Sequence, residues 1–264
     1  MFQIKAKLIS NKRIKGDYWH CVLNAPVIAK QAKAGQFLSI SLDDDKLLLR
    51  RPFSIHRVKG LNLEIIYEVL GKGTASLSRK KSGQQLDIIG PLGNGFDYKT
   101  PGHQDTRAPV LVAGGMGVAP LVFLAEKLAV REPNTEYRTP LVLIGAKTRN
   151  HILCEKEFKE LGFDVKIATD DGSRGFKGYV SELLEQQLLA FSPQLSTIYA
   201  CGPKPMFKEV CWVGKKYRLP VQVSLEEHMA CGIGACFGCA VDTKEGYKRV
   251  CKEGPVFRAD DLIW

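Results

Sequence analysis

Four of the eight cysteines in this 264-residue chain fall between residues 231 and 251, in the run Cys231-Gly-Ile-Gly-Ala-Cys236-Phe-Gly-Cys239 followed by Cys251. The spacing is C-x4-C-x2-C-x11-C. No other feature restricts the fold as strongly, because three thiols on one glycine-rich loop and a fourth shortly downstream have to converge. A [2Fe-2S] cluster takes four thiolates, and a C-x4-C-x2-C run supplies three of them by wrapping backbone around the inorganic sulfurs. Gly232, Gly234 and Gly238 fit that wrapping, since a missing side chain lets backbone N–H groups approach the sulfurs and tune the site. A structural zinc also accepts four thiolates, usually from two C-x2-C knuckles, whereas here only Cys236 and Cys239 are so paired. In a reducing compartment either metal reading precedes a disulfide. Cys21, Cys154, Cys201 and Cys211 are dispersed and are expected to be buried thiols.

The rest of the chain divides by periodicity. Residues 1–100 alternate apolar and polar positions in short runs, Phe37-Leu-Ser-Ile-Ser-Leu, Phe53-Ser-Ile-His, Leu63-Glu-Ile-Ile-Tyr-Glu-Val and Gln85-Leu-Asp-Ile-Ile. Breaks at Gly35, Gly60, Gly71 and Gly90-Pro91 separate them, which argues for an antiparallel barrel or sandwich. A polar stretch, residues 100–107, follows. Over residues 101–222 strands and helices then alternate: Val110–Ala113, Leu121–Leu128, Leu141–Ile144, Glu155–Leu161, Val165–Ala168, Val180–Leu184 and Thr197–Ala200. That order predicts a doubly wound parallel sheet. Residues 223–264 form the cysteine-bearing tail, too short to sustain a core without its metal. The expected fold is thus an all-β barrel, an α/β domain and a small cluster-bearing subdomain.

Two glycine-rich turns carry the next inference. Gly114-Gly115-Met116-Gly117-Val118-Ala119-Pro120 lies between a predicted strand and a predicted helix, where bare backbone and a helix N-terminus can receive a pyrophosphate. Pro120 suits a first helical turn. The acidic residue expected after the second strand of such a domain is replaced by Lys147 and Arg149, which are either surface cations or contacts for an adenosine phosphate. In the first domain, Arg51-Pro52-Phe53-Ser54 joins a fixed cation to an aromatic and a hydroxyl. Gly71-Lys-Gly73-Thr74-Ala-Ser76 precedes a helix-like stretch, Leu77-Ser-Arg-Lys; Arg51 and this helix start are either a second pyrophosphate site or, for Arg51–Ser54 taken alone, an ordinary strand start.

The net charge of +10 permits nucleic-acid or anionic-membrane binding. Its basic groups, Lys12-Arg13 with Lys15, Arg79-Lys80-Lys81 and Lys215-Lys216, are short and scattered, below the density of a nucleic-acid patch. An acidic protein partner and phosphate ligands account for the charge better. Residues 108–125 are uncharged, but Gly114, Gly115, Gly117 and Pro120 divide them into strand, turn and helix, against a membrane span. The N-terminal run lacks the apolar region of a signal peptide, and a cytoplasmic location is expected.

Arg-Pro-x-Ser in a β-barrel, a Gly-Gly-x-Gly-Val-Ala-Pro turn and Cys201-Gly202-Pro203 after the last strand resemble the ferredoxin–NADP reductase superfamily. With the four-cysteine tail, the chain resembles the electron-transfer subunits of dihydroorotate dehydrogenase B over essentially its whole length. Arg50–Ile55, Gly90–Phe96, Thr169–Ser173, Ser224–Glu226, Met229–Gly232 and Gly254–Phe257 share in the likeness. The resemblance implies that Arg51, Pro52, Phe53 and Ser54 line an FAD, Arg51 at its pyrophosphate and Ser54 at its isoalloxazine. Ile66, Tyr67, Glu68, Gly73 and Thr74 would complete that site, with Glu68 departing from the basic residue often found there. Gly115, Gly117, Cys201, Gly202 and Pro203 would serve NAD, and Cys231, Cys236, Cys239 and Cys251 would ligate [2Fe-2S]. The implied activity passes electrons from dihydroorotate, oxidised in a partner FMN subunit, through [2Fe-2S] and FAD to NAD+ in pyrimidine biosynthesis, in a heterotetramer of two subunits of each kind. No catalytic acid–base residue is expected. Two other readings stay open: an NAD(P)H–ferredoxin or sulfide-dehydrogenase type of flavin and iron–sulfur subunit, and a cofactor-free scaffold.

Overall fold

The computed structural model describes residues 1–42, 48–98, 108–129, 139–191 and 195–264. The polar stretch at residues 100–107 therefore lies outside the described residues. The first half builds strands β1 (Phe2–Lys15), β2 (Tyr18–Asn24), β3 (Phe37–Ile40), β4 (Arg51–Ser54), β5 (Arg57–Lys59), β6 (Asn62–Glu68) and β7 (Gln85–Leu92), with short helices α1 (Pro26–Ala29) and α2 (Lys72–Ser78). They form one antiparallel sheet ordered β4-β3-β7-β1-β2-β6-β5. Strand β7 shows why: its residues alternate between buried and at least partly exposed along its length, so one face enters a core and the other lies toward solvent. Bulges near Leu8 and Arg13 bend the long β1, which pairs with both β2 and β7. Phe53 on β4 meets Tyr67 on β6 edge to face at 5.8 Å, so side chains bring the two ends of the sheet together.

Helix α2 starts earlier than the sequence implies. Thr74 Oγ1 accepts the N–H groups of Leu70 (3.0 Å) and Gly71 (3.3 Å), which sets the first turn on Lys72 and ends the helix where Leu77-Ser-Arg-Lys was expected to begin one.

The second half contains parallel strands β8 (Ala108–Gly114), β9 (Leu141–Ala146), β10 (Asp164–Thr169), β11 (Phe176–Lys177), β12 (Leu195–Cys201) and β13 (Val221–Ser224). Helices α3 (Val118–Ala129), α4 (Glu155–Glu160), α5 (Val180–Phe191) and α6 (Lys204–Lys216) connect them. Buried Val110, Leu111, Val112 and Ala113 make β8 a continuous apolar run, as a strand covered on both faces requires. Helix α6 and β13 extend the series past the expected last strand. Lysines at both ends of α6 hide its period, yet Met206, Phe207, Val210 and Val213 form the buried stripe.

In the tail, β14 (Ala240–Thr243) and β15 (Gly246–Arg249) form a hairpin, and β16 (Val256–Arg258) pairs antiparallel with β13 as the sheet's edge. Cys239, Val250, Cys251, Phe257 and Leu262 pack into the same core as β13 and α6. Trp264 packs against Phe207, ring centroids 6.2 Å apart. The tail is also strapped to the barrel, because Asn94 donates its amide N–H to the Gly254 carbonyl at 2.5 Å and its side-chain N–H to that of Glu253 at 2.9 Å.

Candidate cofactor sites

The parallel sheet is ordered β11-β10-β9-β8-β12-β13, so the chain winds outward from β8 in one direction and returns beside it in the other. Ligands of such sheets sit outside the strand C-termini where the order reverses. Here that point lies between β8 and β12, and a cavity of about 720 Å³ opens there, lined among others by Gly114, Gly115, Gly117, Gly202, Pro203 and Lys147. Gly115 adopts φ +54°, which suits glycine, and nothing lies within 4 Å of where its Cβ would be. Gly117 has the opposite constraint: a Cβ there would stand 2.1 Å from the Cys201 carbonyl oxygen. The two strand ends thus meet backbone to backbone at the floor of the cleft, before α3 begins.

Cys201 itself does not line this cavity. It is buried beneath it, and burial raises its thiol well above the usual range. Lys147 reaches the cavity, but Arg149 does not; its backbone N–H is donated to Ser173 Oγ at 2.8 Å. Three acidic residues line the cleft that the Gly-rich turn alone did not point to: Asp170 after β10, Glu209 on α6 and Glu226 after β13. Desolvation raises the Glu226 carboxyl although its surface is exposed at the cleft, so it holds a proton more readily than a free glutamate. Tyr18 and Glu68 bring the rim of the barrel to the same cavity. Asp170 was legible only as the acid following the third strand; the sheet order is what carries it to the cleft.

In the barrel, the structure brings the cation and the second turn together. A Cβ on Gly73 would sit 2.8 Å from Arg51 Nε, so the guanidinium lies over the glycine-bearing start of α2. Arg50, by contrast, is committed to Asp87 at 2.7 Å. Pro52 is exposed and Ser54 half-buried on the same strand, while Ile66 is buried on β6. Phe53 and Tyr67 turn inward. Tyr67 stacks on Trp19 and donates its hydroxyl to Asn11 Oδ1 at 3.0 Å, so what these two offer a ligand is backbone. Replacing Arg51 with alanine is expected to weaken FAD retention about 10- to 100-fold through loss of a charge-assisted contact. Flavin content after gel filtration checks this, and unchanged content would remove Arg51 from the site.

The tail sulfurs interact chiefly as two pairs, Cys231 with Cys236 and Cys239 with Cys251, with Cys231 also acting on Cys251. A single tetrahedral zinc holds four sulfurs at about 2.3 Å, which places all of them within about 4 Å of one another. Among the described residues the one trio of candidate ligand atoms mutually within 4.8 Å is His56, Cys154 and Glu157, so no three of these sulfurs are that close. Two sulfurs on each of two irons fit the pairs better than four on one ion. Backbone donors surround them: Gly234 N–H to Cys251 Sγ (3.1 Å), Ala235 N–H to Cys231 Sγ (3.3 Å), Cys251 N–H to Cys239 Sγ (3.4 Å) and Gly238 N–H to Cys236 Sγ (3.5 Å). Gly232 (φ +70°) and Gly234 (φ +84°) turn the loop so that these N–H groups face inward. At Cys231 burial works against ionisation, but hydrogen bonds from the loop outweigh it and bring the thiol down to about 6.

Arg249 anchors this loop from the hairpin. It donates Nη1–H to the Gly234 carbonyl at 2.6 Å, pairs with Glu253 through two nitrogens at 3.0 and 2.5 Å, and lies 4.6 Å from the Phe237 ring centroid. Arg249→Ala is expected to weaken iron retention about 10- to 100-fold, as loss of supporting contacts around a metal site does. Iron release to a chelator measures it; release at the wild-type rate would show that the loop holds its shape unaided.

The cluster loop also reaches the barrel. A Cβ on Gly232 would come 3.4 Å from Ser39 Oγ, and Ser39 on β3 lies directly opposite Pro52 on β4. One strand therefore separates the cysteine loop from the Arg51–Ser54 segment.

Comparison with known proteins agrees with this layout. Residues 226–263 match the model for the iron–sulfur cluster binding domain of dihydroorotate dehydrogenase B, and residues 111–212 match the oxidoreductase NAD-binding domain. The chain is 40% identical to a dihydroorotate dehydrogenase B (NAD(+)) electron transfer subunit of Desulforamulus reducens, over 98% of this chain and 97% of that protein. It is 38% identical to the corresponding subunit of Caldanaerobacter subterraneus subsp. tengcongensis, over 100% and 99%. Among solved structures, an NADH-dependent reduced ferredoxin–NADP oxidoreductase superposes with a TM-score of 0.82 at 28% identity, covering 98% of this chain and 90% of that one. An Amycolatopsis cytochrome P450 reductase shares the fold at a TM-score of 0.67 and 22% identity, covering 83% and 67%. With near-complete coverage by such relatives, the chain belongs to the dihydroorotate dehydrogenase B (NAD(+)) electron transfer subunit family.

Proposed function

We propose that this chain passes electrons from dihydroorotate, oxidised in a partner FMN subunit, to NAD+ as part of pyrimidine biosynthesis. The observation that carries the reading is adjacency: the cysteine loop abuts the strand opposite Pro52, and the barrel rim at Glu68 opens onto the nucleotide cleft. When bound, FAD links single-electron transfer from a [2Fe-2S] cluster to hydride transfer to NAD+.

The chain's own part is to hold and orient. Cys231 and Cys236 would take one iron and Cys239 and Cys251 the other. Arg51 and the α2 start at Gly73 and Thr74 would hold the FAD pyrophosphate. The β4 segment Pro52–Ser54 and the β6 segment Ile66–Glu68 would line the flavin, Phe53 and Tyr67 through their backbone. The Gly115–Gly117 turn would receive the NAD pyrophosphate, with Gly202 and Pro203 walling the nicotinamide end and Cys201 supporting them from below. A side chain that moves a substrate proton is not required by this role.

The partner is a dihydroorotate dehydrogenase catalytic subunit, in an assembly of two chains of each kind in the cytoplasm; light scattering of the co-purified complex measures that stoichiometry. The likeness to an NADH-dependent reduced ferredoxin–NADP oxidoreductase keeps one other reading in view, an NAD(P)H–ferredoxin type of flavin subunit. Visible spectra of the purified chain test the cofactor set shared by both. Flavin and [2Fe-2S] bands are expected together, and a colourless protein holding zinc in the four-cysteine tail would contradict it.

A further inference from the structure

Away from the cleft and the cysteine tail, three chemically different donors meet where the barrel touches the α/β domain. His56 lies between β4 and β5, and Cys154 and Glu157 open α4, with their ligand atoms all within 4.8 Å of one another. His56 and Cys154 are buried and Glu157 is half-buried, so the cluster has one side toward solvent. We propose that His56, Cys154 and Glu157 form a zinc site that fastens the barrel to the α/β domain.

The histidine is held as metal-bound histidines are held. Its Nδ1 is 2.8 Å from the Ala119 carbonyl of α3, across the domain contact. A carbonyl can only accept, so Nδ1 carries the proton and the lone pair is on Nε2. Cys154 is one of three non-glycine residues with positive φ among those described, at φ 58° and ψ 12°. That conformation is costly for a residue with a side chain and persists only where its surroundings demand it. It starts α4 so that Cys154 and Glu157, three residues apart, share a face. Arg57, next to His56, is turned to Glu126 at 2.5 Å and pairs there.

One nitrogen, one sulfur and one carboxylate oxygen suit zinc, which binds all three donor types and takes water as a fourth ligand. Thiolate disfavours magnesium and calcium, which prefer oxygen throughout. Binding would transfer the Cys154 thiol proton to solvent, and the thiolate and carboxylate would then balance the ion's two charges. Because the ligands come from both domains, the metal would resist their separation. This inference is independent of the electron-transfer role.

The test uses the chain with FAD and iron loaded, incubated with zinc, dialysed, and examined by elemental analysis and zinc-edge X-ray absorption. One zinc per chain is expected, with a single sulfur among nitrogen and oxygen neighbours. His56→Gln and Glu157→Gln should each weaken its retention about 10-fold or more while iron and FAD stay at wild-type content. Glu157, being half-buried, provides the variant least prone to fold poorly. Absence of retained zinc in the wild-type chain would overturn the proposal, as would a four-sulfur shell, which places the zinc in the tail. Equal retention in the wild type and Glu157→Gln would also overturn it, leaving an adventitious ion.

Discussion

Cys236→Ser is expected to give a chain that retains most of its FAD but has no [2Fe-2S] signal. Cys236 pairs with Cys231, and losing one thiolate leaves an iron under-coordinated, while the backbone donors at Gly238 and Ala235 remain aimed at an incomplete sulfur set. The segments proposed to face the flavin are on β4, β6 and α2. The buried tail residues belong instead to the core around α6 and β13, to which the barrel contributes Phe37 and Leu92. Electron paramagnetic resonance of the reduced protein and flavin absorbance read the two outcomes separately. NADH should still reduce the flavin, whereas NAD+ reduction driven by dihydroorotate should be lost. Loss of both cofactors would show that the tail is required for the barrel to fold.

Gly117→Val should be the most damaging single change at the nucleotide cleft. Its Cβ would lie 2.1 Å from the Cys201 oxygen and 2.6 Å from the Gly202 nitrogen, and both are backbone at the end of β12, so no rotamer change relieves the overlap. Overpacking of this kind costs about 1–3 kcal/mol, and for a chain this size each kcal/mol lowers Tm by about 2–4 °C. Because β8 and β12 must move apart at the floor of the cleft, KM for NAD+ should rise about 10-fold or more, measured with an artificial electron acceptor. Gly115→Ala is the control: nothing lies within 4 Å of its Cβ position, so only the cost of its positive φ, about 1 kcal/mol, applies. Unaltered NAD kinetics in Gly117→Val would remove this turn from the site.

Much of this architecture was legible because the strongest signals are local. The cysteine spacing lies within one loop, the Gly-Gly-x-Gly turn sits between a strand and a helix, and the change of period after residue 107 separates barrel from sheet. What was not legible depends on pairing between distant segments. Helix α6 was hidden by its terminal lysines, and α2 was displaced because the Thr74 side chain, not apolar period, sets its start. Strand β16 is too short to announce itself, and it gains meaning only by pairing with β13 across some thirty intervening residues. Phe53 and Tyr67 sit in a binding motif, yet their rings are committed to the barrel core. Asp170 and Glu226 reach the cleft through strand order, and His56 meets Cys154 only because the two domains touch.

Electron flow from a dihydroorotate-oxidising partner through this chain to NAD+ can be measured in a reconstituted mixture. The most direct measurement mixes the FAD- and iron-loaded chain with a dihydroorotate dehydrogenase FMN subunit, dihydroorotate and NAD+, and follows orotate and NADH together. Both are expected to form in equal amounts, and NADH formation is expected to stop when this chain is omitted or carries Cys236→Ser. Orotate formation with an artificial dye but no NADH, from a mixture in which this chain holds both cofactors and binds the partner, would contradict this electron route.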